Sequence, residues 1–489
     1  MYDFKTCLEK TQEVGYVDEI IYSLVYASGL PMVKLYEIVV FESGDIGQVF
    51  SMEVGSVKIL LLSSMSVNVG DRIARTDEPL KIPVSESVMG RLLDPLLRPL
   101  DGGSAIESEN PMSINAEPPQ IMDRLEVKTP LETGVTMVDL VVPLSHGQRE
   151  LVIGDRKTGK TEFLLQTIVT QARLGVTCIY AIIGQKKVEI QRLYEFFESR
   201  GVSNNTLIIA SDSSSQPGLI FQTPYSAMTV AEYLLKKKKD VLVVLDDMTT
   251  HARVYREISL LARKFPGRAA YPGDIFFIHS RLLERSGNFK RGSISTLAVA
   301  ESILGDLSGY IQTNLMAMTD GHIFFDIGLY NQGKRPAINP FLSVTRVGHQ
   351  TQTSLEVDVS RELLSFLVTY EKMKQFLHFG AEVGKTVRNI LNLGERIDIF
   401  FDQKEFVSIP ININIFILSV IWSGTWNESK LEEVGRQIDF IINLYNKDRD
   451  FEKKVNDLIG THLNFSDLIN SIRRDQGLIP KNEHKFSTN

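Results

Sequence analysis

Between residues 15 and 83, short apolar runs recur at 17–25, 34–41, 47–54, 56–62 and 72–75. They are separated by turn formers at Ser43-Gly44-Asp45, Gly55-Ser56 and Val69-Gly70-Asp71. Runs of that length, broken in that way, predict a small all-β barrel or sandwich. A stretch rich in turn residues follows, Asp101-Gly102-Gly103-Ser104 and then Ala116-Glu117-Pro118-Pro119, and reads as a boundary region. From about 129 to 347 the pattern changes. Apolar runs at 150–153, 177–183, 206–210, 241–245 and 274–279 read as strands, and stretches such as 190–200 and 225–237 carry helical periodicity. Strands alternating with helices predict a mostly parallel sheet covered by helices. Beyond residue 350 the chain passes to long amphipathic segments, 355–374 and 434–446 among them, so a helical C-terminal domain is expected.

The central region opens on Gly154-Asp155-Arg156-Lys157-Thr158-Gly159-Lys160-Thr161, which fits the phosphate-binding pattern G-x-x-x-x-G-K-[ST]. The run Glu150-Leu151-Val152-Ile153 leads in as a strand, and Glu162-Phe163-Leu164-Leu165-Gln166-Thr167-Ile168 leads out as a helix. The two glycines let the backbone bend so that successive N–H groups point at phosphate oxygens, and the helix presents its positive end to the same anion. In such a loop Lys160 reaches the β- and γ-phosphates and the Thr161 hydroxyl ligates Mg²⁺. Binding of a nucleoside triphosphate with Mg²⁺ is therefore expected. Downstream, Asp240-Val241-Leu242-Val243-Val244-Leu245-Asp246-Asp247 reads as a buried strand ending in two carboxylates. That is the Walker B arrangement, with Asp246 holding the magnesium shell directly or through water.

Composition narrows the class. With 489 residues, 43% of them hydrophobic, the chain has core enough for roughly three domains. A net charge of −7 argues against a generalised nucleic-acid binder. The two cysteines, Cys7 and Cys178, make neither a disulfide framework nor a zinc site, and a reducing compartment is expected. The first residues lack the build of a secretory signal or a transit peptide, so synthesis and function are expected to share a compartment. The apolar stretch 409–422 contains Pro410, Asn412 and Asn414 and falls short of a bilayer span, so membrane association is expected to run through partners. The basic runs 236–239 and Arg473-Arg474 read as solvated surface.

Longer motifs add a family. The lead-in His146-Gly147-Gln148-Arg149-Glu150-Leu151-Val152-Ile153 and the later Tyr271-Pro272-Gly273-Asp274-Ile275-Phe276-Phe277-Ile278-His279-Ser280-Arg281-Leu282-Leu283-Glu284-Arg285 closely resemble the alpha subunit of F-type ATP synthases. The likeness continues through Arg335-Pro336-Ala337-Ile338-Asn339-Pro340 and Leu342-Ser343-Val344-Thr345-Arg346-Val347-Gly348, covering about 15–400 well and the remainder more weakly. The resemblance implies a short N-terminal segment 1–14, a β-barrel 15–83, a P-loop (RecA-like) α/β domain 84–350 and an α-helical domain 351–489. It also implies a ring of three such chains alternating with three catalytic beta-type chains. A gamma-type central stalk, a delta-type peripheral stalk and a membrane-embedded ion-translocating sector would complete the complex, and no nucleic acid would be bound. The location implied is the cytoplasmic face of a bacterial inner membrane, or the inner face of an organelle membrane.

Within that family beta-type chains read Gly-Glu-Arg after the P-loop helix and use the Glu to polarise water, whereas this chain reads Gly184-Gln185-Lys186-Lys187. An amide orients water but does not readily take its proton, so Gln185 points to a site that binds ATP and turns it over poorly. Glu189, four residues on, reads as a surface residue of the next helix. The resemblance assigns Arg346 to the neighbouring beta-type site, where such an arginine is worth roughly 10³ to 10⁵ in rate. It gives Ser343 a position needed for activity, through the strand that carries the arginine, and puts Arg335, Pro336 and Gln403 near the adenine. Departures from the family pattern are Lys157 for Gln, Ala269 for Glu, Glu405 for a second Gln on the adenine side, and the short N-terminal segment, which leaves docking of the peripheral stalk open. Two rivals are a homo-hexameric ATPase of a protein-export system, which needs its own catalytic carboxylate, and a ring-shaped nucleic-acid translocase. The translocase needs a basic, aromatic-studded barrel, and residues 15–83 hold only Lys34, Lys58, Arg72, Arg75 and Lys81 against more acidic groups.

Overall fold

The computed structural model describes residues 3–63, 66–378, 384–404, 406–475, 477 and 479–480. Six antiparallel strands, Val14–Ile21, Leu24–Ser28, Glu37–Phe41, Ile46–Glu53, Ser56–Leu61 and Arg72–Pro79, close into a barrel in the order first, second, fifth, fourth, third, sixth. The apolar run 17–25 is two strands rather than one: Tyr22 takes a φ of 54° and folds it into a hairpin that sets Ile20 opposite Val25. Alternate residues of the strands fill the interior, Val17, Val25, Ala27, Val39, Phe41, Val49, Val57, Ile59 and Ile73, as the period of two requires. Residues before the barrel form a helix, Phe4–Thr11, started by the Asp3 carboxylate, which accepts the Thr6 N–H at 2.9 Å. Phe4 and Cys7 of this helix pack on Val40 and Ala74.

The chain forms two compact units, one of residues 1–126, 147–153 and 172–320, the other of residues 127–146, 154–171 and 321–489. The first holds the barrel and a sheet in which Gly292–Glu301, Val241–Asp246, Thr177–Gln185, Thr206–Asp212 and Leu92–Leu93 lie side by side in parallel, with Arg149–Gly154 beyond the first of them. Val241, Leu242, Val243, Val244 and Leu245 are all fully buried, the unbroken apolar run expected of a strand covered on both faces.

The segment 274–279 is not a strand. It belongs to a helix, Ile275–Leu283, whose buried positions Ile275, His279, Leu282 and Leu283 recur at helical spacing. The strand that takes the expected place beside Val241–Asp246 is Gly292–Glu301, with Val243 registered on Thr296. Its Ser and Thr residues broke the apolar pattern, and it was not among the runs expected to be strands.

Two histidines are buried in this unit. His251 Nε2 donates to the Phe221 carbonyl at 3.1 Å, which leaves its Nδ1 to accept from His279 Nε2, also 3.1 Å away. Burial holds His251 down to about 4 and His279 well below its ordinary value. A histidine kept neutral in the fold contributes stability that is complete above the unfolded value of about 6.5 and is lost as pH falls toward the folded one. Stability of the full chain should therefore drop between pH 6.5 and 4, by about 3 kcal/mol from His251. Urea titrations of the parent and of His251→Gln at pH 7 and pH 4.5 check this: the variant should lose less on acidification, and equal losses would remove the assignment.

The second unit is largely helical beyond residue 350, with Ser354–His378, Lys385–Phe401, Ile411–Ser423, Leu431–Lys447, Arg449–Thr461 and Phe465–Arg474. The apolar run 409–422 is the central one, Ile411–Ser423; its Ile413, Ile415, Phe416, Ile417, Leu418, Val420 and Ile421 are buried, and Gly424 ends it at a φ of 85°. Among the described residues no helix is long and apolar enough to cross a membrane. The architecture is thus an N-terminal β-barrel, a central α/β P-loop domain and a C-terminal helical domain.

Candidate nucleotide-binding site

Strand Arg149–Gly154 runs into the loop 154–159, and the helix Lys160–Arg173 leaves it. Position 154 has to be glycine: a Cβ there would meet the Phe325 carbonyl oxygen at 2.5 Å. Lys157 and Gly159 take φ values of 61° and 96°, the left-handed turns that aim successive N–H groups inward. Thr158 Oγ1 donates to the Asp155 carbonyl at 2.7 Å and is buried, which locks the turn. Lys160 folds back over the loop, its Nζ donating to the carbonyls of Gly154 and Asp155 at 2.7 and 2.6 Å. The first N–H groups of the helix have no acceptor within it, so they and the Lys160 ammonium make one positive cradle. Arg156, Lys157 and Thr161 are exposed on its rim. The cradle fits a polyphosphate, and a hydroxyl at Thr161 is the oxygen donor that Mg²⁺ accepts.

The same helix supplies one wall of a pocket open to solvent. Thr158 and Gly159 open it toward the loop, Phe163 and Gln166 line its side, and Tyr330, Arg335, Pro336 and Gln403 complete it. The Arg335 guanidinium lies 3.6 Å from the Tyr330 ring centroid and donates to the carbonyls of Tyr330 and Lys334 at 3.0 and 2.8 Å. Gln403 is held by the backbone around it: its Oε1 accepts the Thr136 N–H at 3.0 Å and its Nε2 donates to the Gly134 and Val407 carbonyls. The three residues expected near an adenine thus share one pocket with two residues of the phosphate loop.

In the first unit Gln185 and Asp246 form a second cluster. Asp246 Oδ2 accepts from Gln185 Nε2 at 3.0 Å and from the Tyr180 hydroxyl at 2.8 Å. Asp247 caps the helix Met248–Leu261 by accepting the Thr250 N–H; burial, then the adjacent Asp246 charge, pushes its carboxyl up to about 6. Glu189 is exposed on the helix Lys187–Ser199 and pairs with Arg192 at 3.2 Å. Ala269 sits in an exposed turn at a φ of 55°, and Glu405 lies outside the described residues.

Arg346 is exposed one residue beyond the short strand Val344–Thr345. Its flanks are fixed. The Ser343 hydroxyl donates to the Asn339 carbonyl at 2.7 Å and accepts the Phe324 N–H at 3.0 Å, while Thr345 Oγ1 donates to the Pro143 carbonyl at 3.0 Å. Nearby His322 is depressed by burial and, to a lesser degree, by the Arg346 charge.

Sequence patterns alone did not single out Gln166, Tyr330 or Tyr180. The spacing from Phe163 to Gln166 puts these two on one face of the helix and was a usable signal. Nothing local pointed to Tyr180, because its partner Asp246 lies 66 positions along the chain.

Residues 134–345 match the ATP synthase alpha/beta family, nucleotide-binding domain, and residues 352–474 match the ATP synthase alpha/beta chain, C terminal domain. ATP synthase subunit alpha 2 of Syntrophus aciditrophicus is 36% identical over 472 residues, covering 96% of this chain and 88% of the relative. ATP synthase subunit alpha of Dictyoglomus turgidum is 38% identical over 438 residues, 88% of this chain and 86% of that one. The subunit alpha of Neorickettsia sennetsu is 35% identical over 466 residues, 92% of each. With that likeness along nearly its whole length, and with the phosphate loop and its pocket in place, the chain belongs to the ATP synthase alpha/beta family, in the group of alpha subunits.

Proposed function

We propose that this chain binds a nucleotide without turning it over, and lends an arginine to the site where turnover occurs. The observation that carries the reading is Gln185, an amide where hydrolysis needs a proton acceptor, with its Nε2 donating to Asp246. Lys160 and the backbone N–H groups of 154–161 hold the phosphates, and Arg335, Pro336 and Gln403 frame the base. The Thr161 hydroxyl would hold Mg²⁺, which when bound neutralises phosphate charge. In the working complex three copies alternate with three catalytic beta-type chains. A gamma-type central stalk and a delta-type peripheral stalk couple the ring to a membrane-embedded ion-translocating sector, on the cytoplasmic face of a bacterial inner membrane or the inner face of an organelle membrane. The complex makes ATP from ADP and phosphate using the ion gradient. The exposure of Arg346, with Ser343 and Thr345 tying down the chain on its N-terminal side, supports its role at the neighbouring site.

The test is made on the full chain without partners. It should bind one Mg-ATP and show no turnover above the spontaneous rate, and Lys160→Ala should weaken binding at least about tenfold by removing a charge-assisted contact to phosphate. Turnover by the lone chain at the rate of an assembled complex would overturn the non-catalytic reading and favour an export-type homo-hexamer.

A further inference from the structure

Gln166 is 4% exposed and lines the pocket beside the phosphate loop. Its Nε2 donates to Thr170 Oγ1 at 3.2 Å. The one proton of the Thr170 hydroxyl has the Gln166 main-chain carbonyl at 2.9 Å and Ser408 Oγ at 3.1 Å as acceptors, so Thr170 accepts from the Gln166 amide. The other end, Oε1, is buried and has no hydrogen-bond partner; among the side chains lining the pocket it alone has that condition. An orphaned buried acceptor is costly and calls for an explanation. The other amide in the pocket, Gln403, has both N–H groups engaged by the Gly134 and Val407 carbonyls and its oxygen accepting the Thr136 N–H, so its acceptor already has a partner where that of Gln166 has none. Arg335 Nη1 donates to the carbonyls of Tyr330 and Lys334, and a guanidinium has no acceptor to offer a 6-amino group.

We propose that Gln166 is the base-specificity residue of this site, its Oε1 accepting a hydrogen bond from the exocyclic 6-amino group of adenine. This rests on the nucleotide-binding reading above and adds to it the chemistry of selection. A 6-amino purine brings a donor to the orphaned oxygen. A 6-oxo purine such as guanine brings a second acceptor to it, and an unsubstituted purine brings nothing. Phe163 and Pro336 supply apolar walls common to all three bases, and ATP and purine riboside triphosphate differ only at the 6-amino group.

The experiment measures binding of ATP, GTP and purine riboside triphosphate, each with Mg²⁺, to the full chain and to Gln166→Met, which keeps the length and removes the amide. In the parent, ATP should bind about tenfold tighter than purine riboside triphosphate, the value of one buried hydrogen bond, and GTP weaker than both. In Gln166→Met the ATP advantage should shrink to about twofold or less. Equal affinity of the parent for ATP and purine riboside triphosphate would overturn the proposal and leave the nucleotide site standing. Failure to bind any of the three would overturn both. Retention of the tenfold ATP advantage in Gln166→Met, or in Gln166→Leu where that variant does not fold, would overturn the assignment to Gln166.

Discussion

In a ring assembled with its beta-type partner, Arg346→Ala is expected to slow ATP turnover by roughly 10³-fold while nucleotide stays bound to this chain. The reason is electrostatic. Charge spreads over the equatorial oxygens of the transferring phosphoryl group, and a planar guanidinium placed against them stabilises that charge more in the transition state than in the ground state. Arg346 is exposed rather than folded into the phosphate-loop pocket, as a residue serving a neighbour must be. The strand before it is tethered through Ser343 to Asn339 and Phe324 and through Thr345 to Pro143, which limits the wandering of a long side chain. Arg346→Lys should recover little, because an ammonium lacks the fork that meets two oxygens at once. Ser343→Ala should cost less than Arg346→Ala and act through kcat, since it loosens the arginine without removing it. Single-turnover kinetics on assembled rings check the series. Unchanged turnover in Arg346→Ala would remove the cross-subunit role.

The largest effect on stability is expected at Arg285, which is fully buried in the first unit. Its guanidinium meets the Glu232 carboxylate through two bonds of 2.7 and 2.9 Å, with further bonds to Thr229 Oγ1 at 2.9 Å and the Ile114 carbonyl at 3.0 Å. Taking two charges out of water is expensive, and such a pair persists because every donor has an acceptor. Arg285→Ala leaves the partly buried Glu232 carboxylate without its partner and strands the acceptors of the other donors, and should cost about 3 kcal/mol. A matched replacement, Arg285→Met with Glu232→Met, should cost less than either single change, because no charge is stranded. Chemical denaturation of the four proteins tests this. Additive losses in the double variant would show that the pair is not coupled.

Much of the site was legible in the order of residues along the chain. The strand, loop and helix around 154–161 follow from two glycines, an apolar run and a helical period that act over a few residues. Arg335, Pro336 and Gln403 were expected near one base, and they line one pocket with Thr158 and Gly159. Other features were beyond local reading. A short apolar run such as 274–279 satisfies strand and helix alike, and what makes it a helix is which of its residues meet the core: Ile275, His279, Leu282 and Leu283. The strand Gly292–Glu301 was hidden for the opposite reason, because Ser293, Ser295 and Thr296 are buried and find partners only once the sheet exists.

By itself the sequence determined the class of each region and the phosphate loop, because periodicity, turn preference and side-chain chemistry are local properties, while the family resemblance marked Gln185 as an amide in place of a carboxylate. The tertiary structure decided how Tyr180 and Gln185 converge on Asp246, how the backbone engages Gln403 and why Gln166 keeps an unpartnered oxygen. Those outcomes depend on hydrogen bonds between residues up to 269 positions apart, and only the packing of the whole chain selects such pairs.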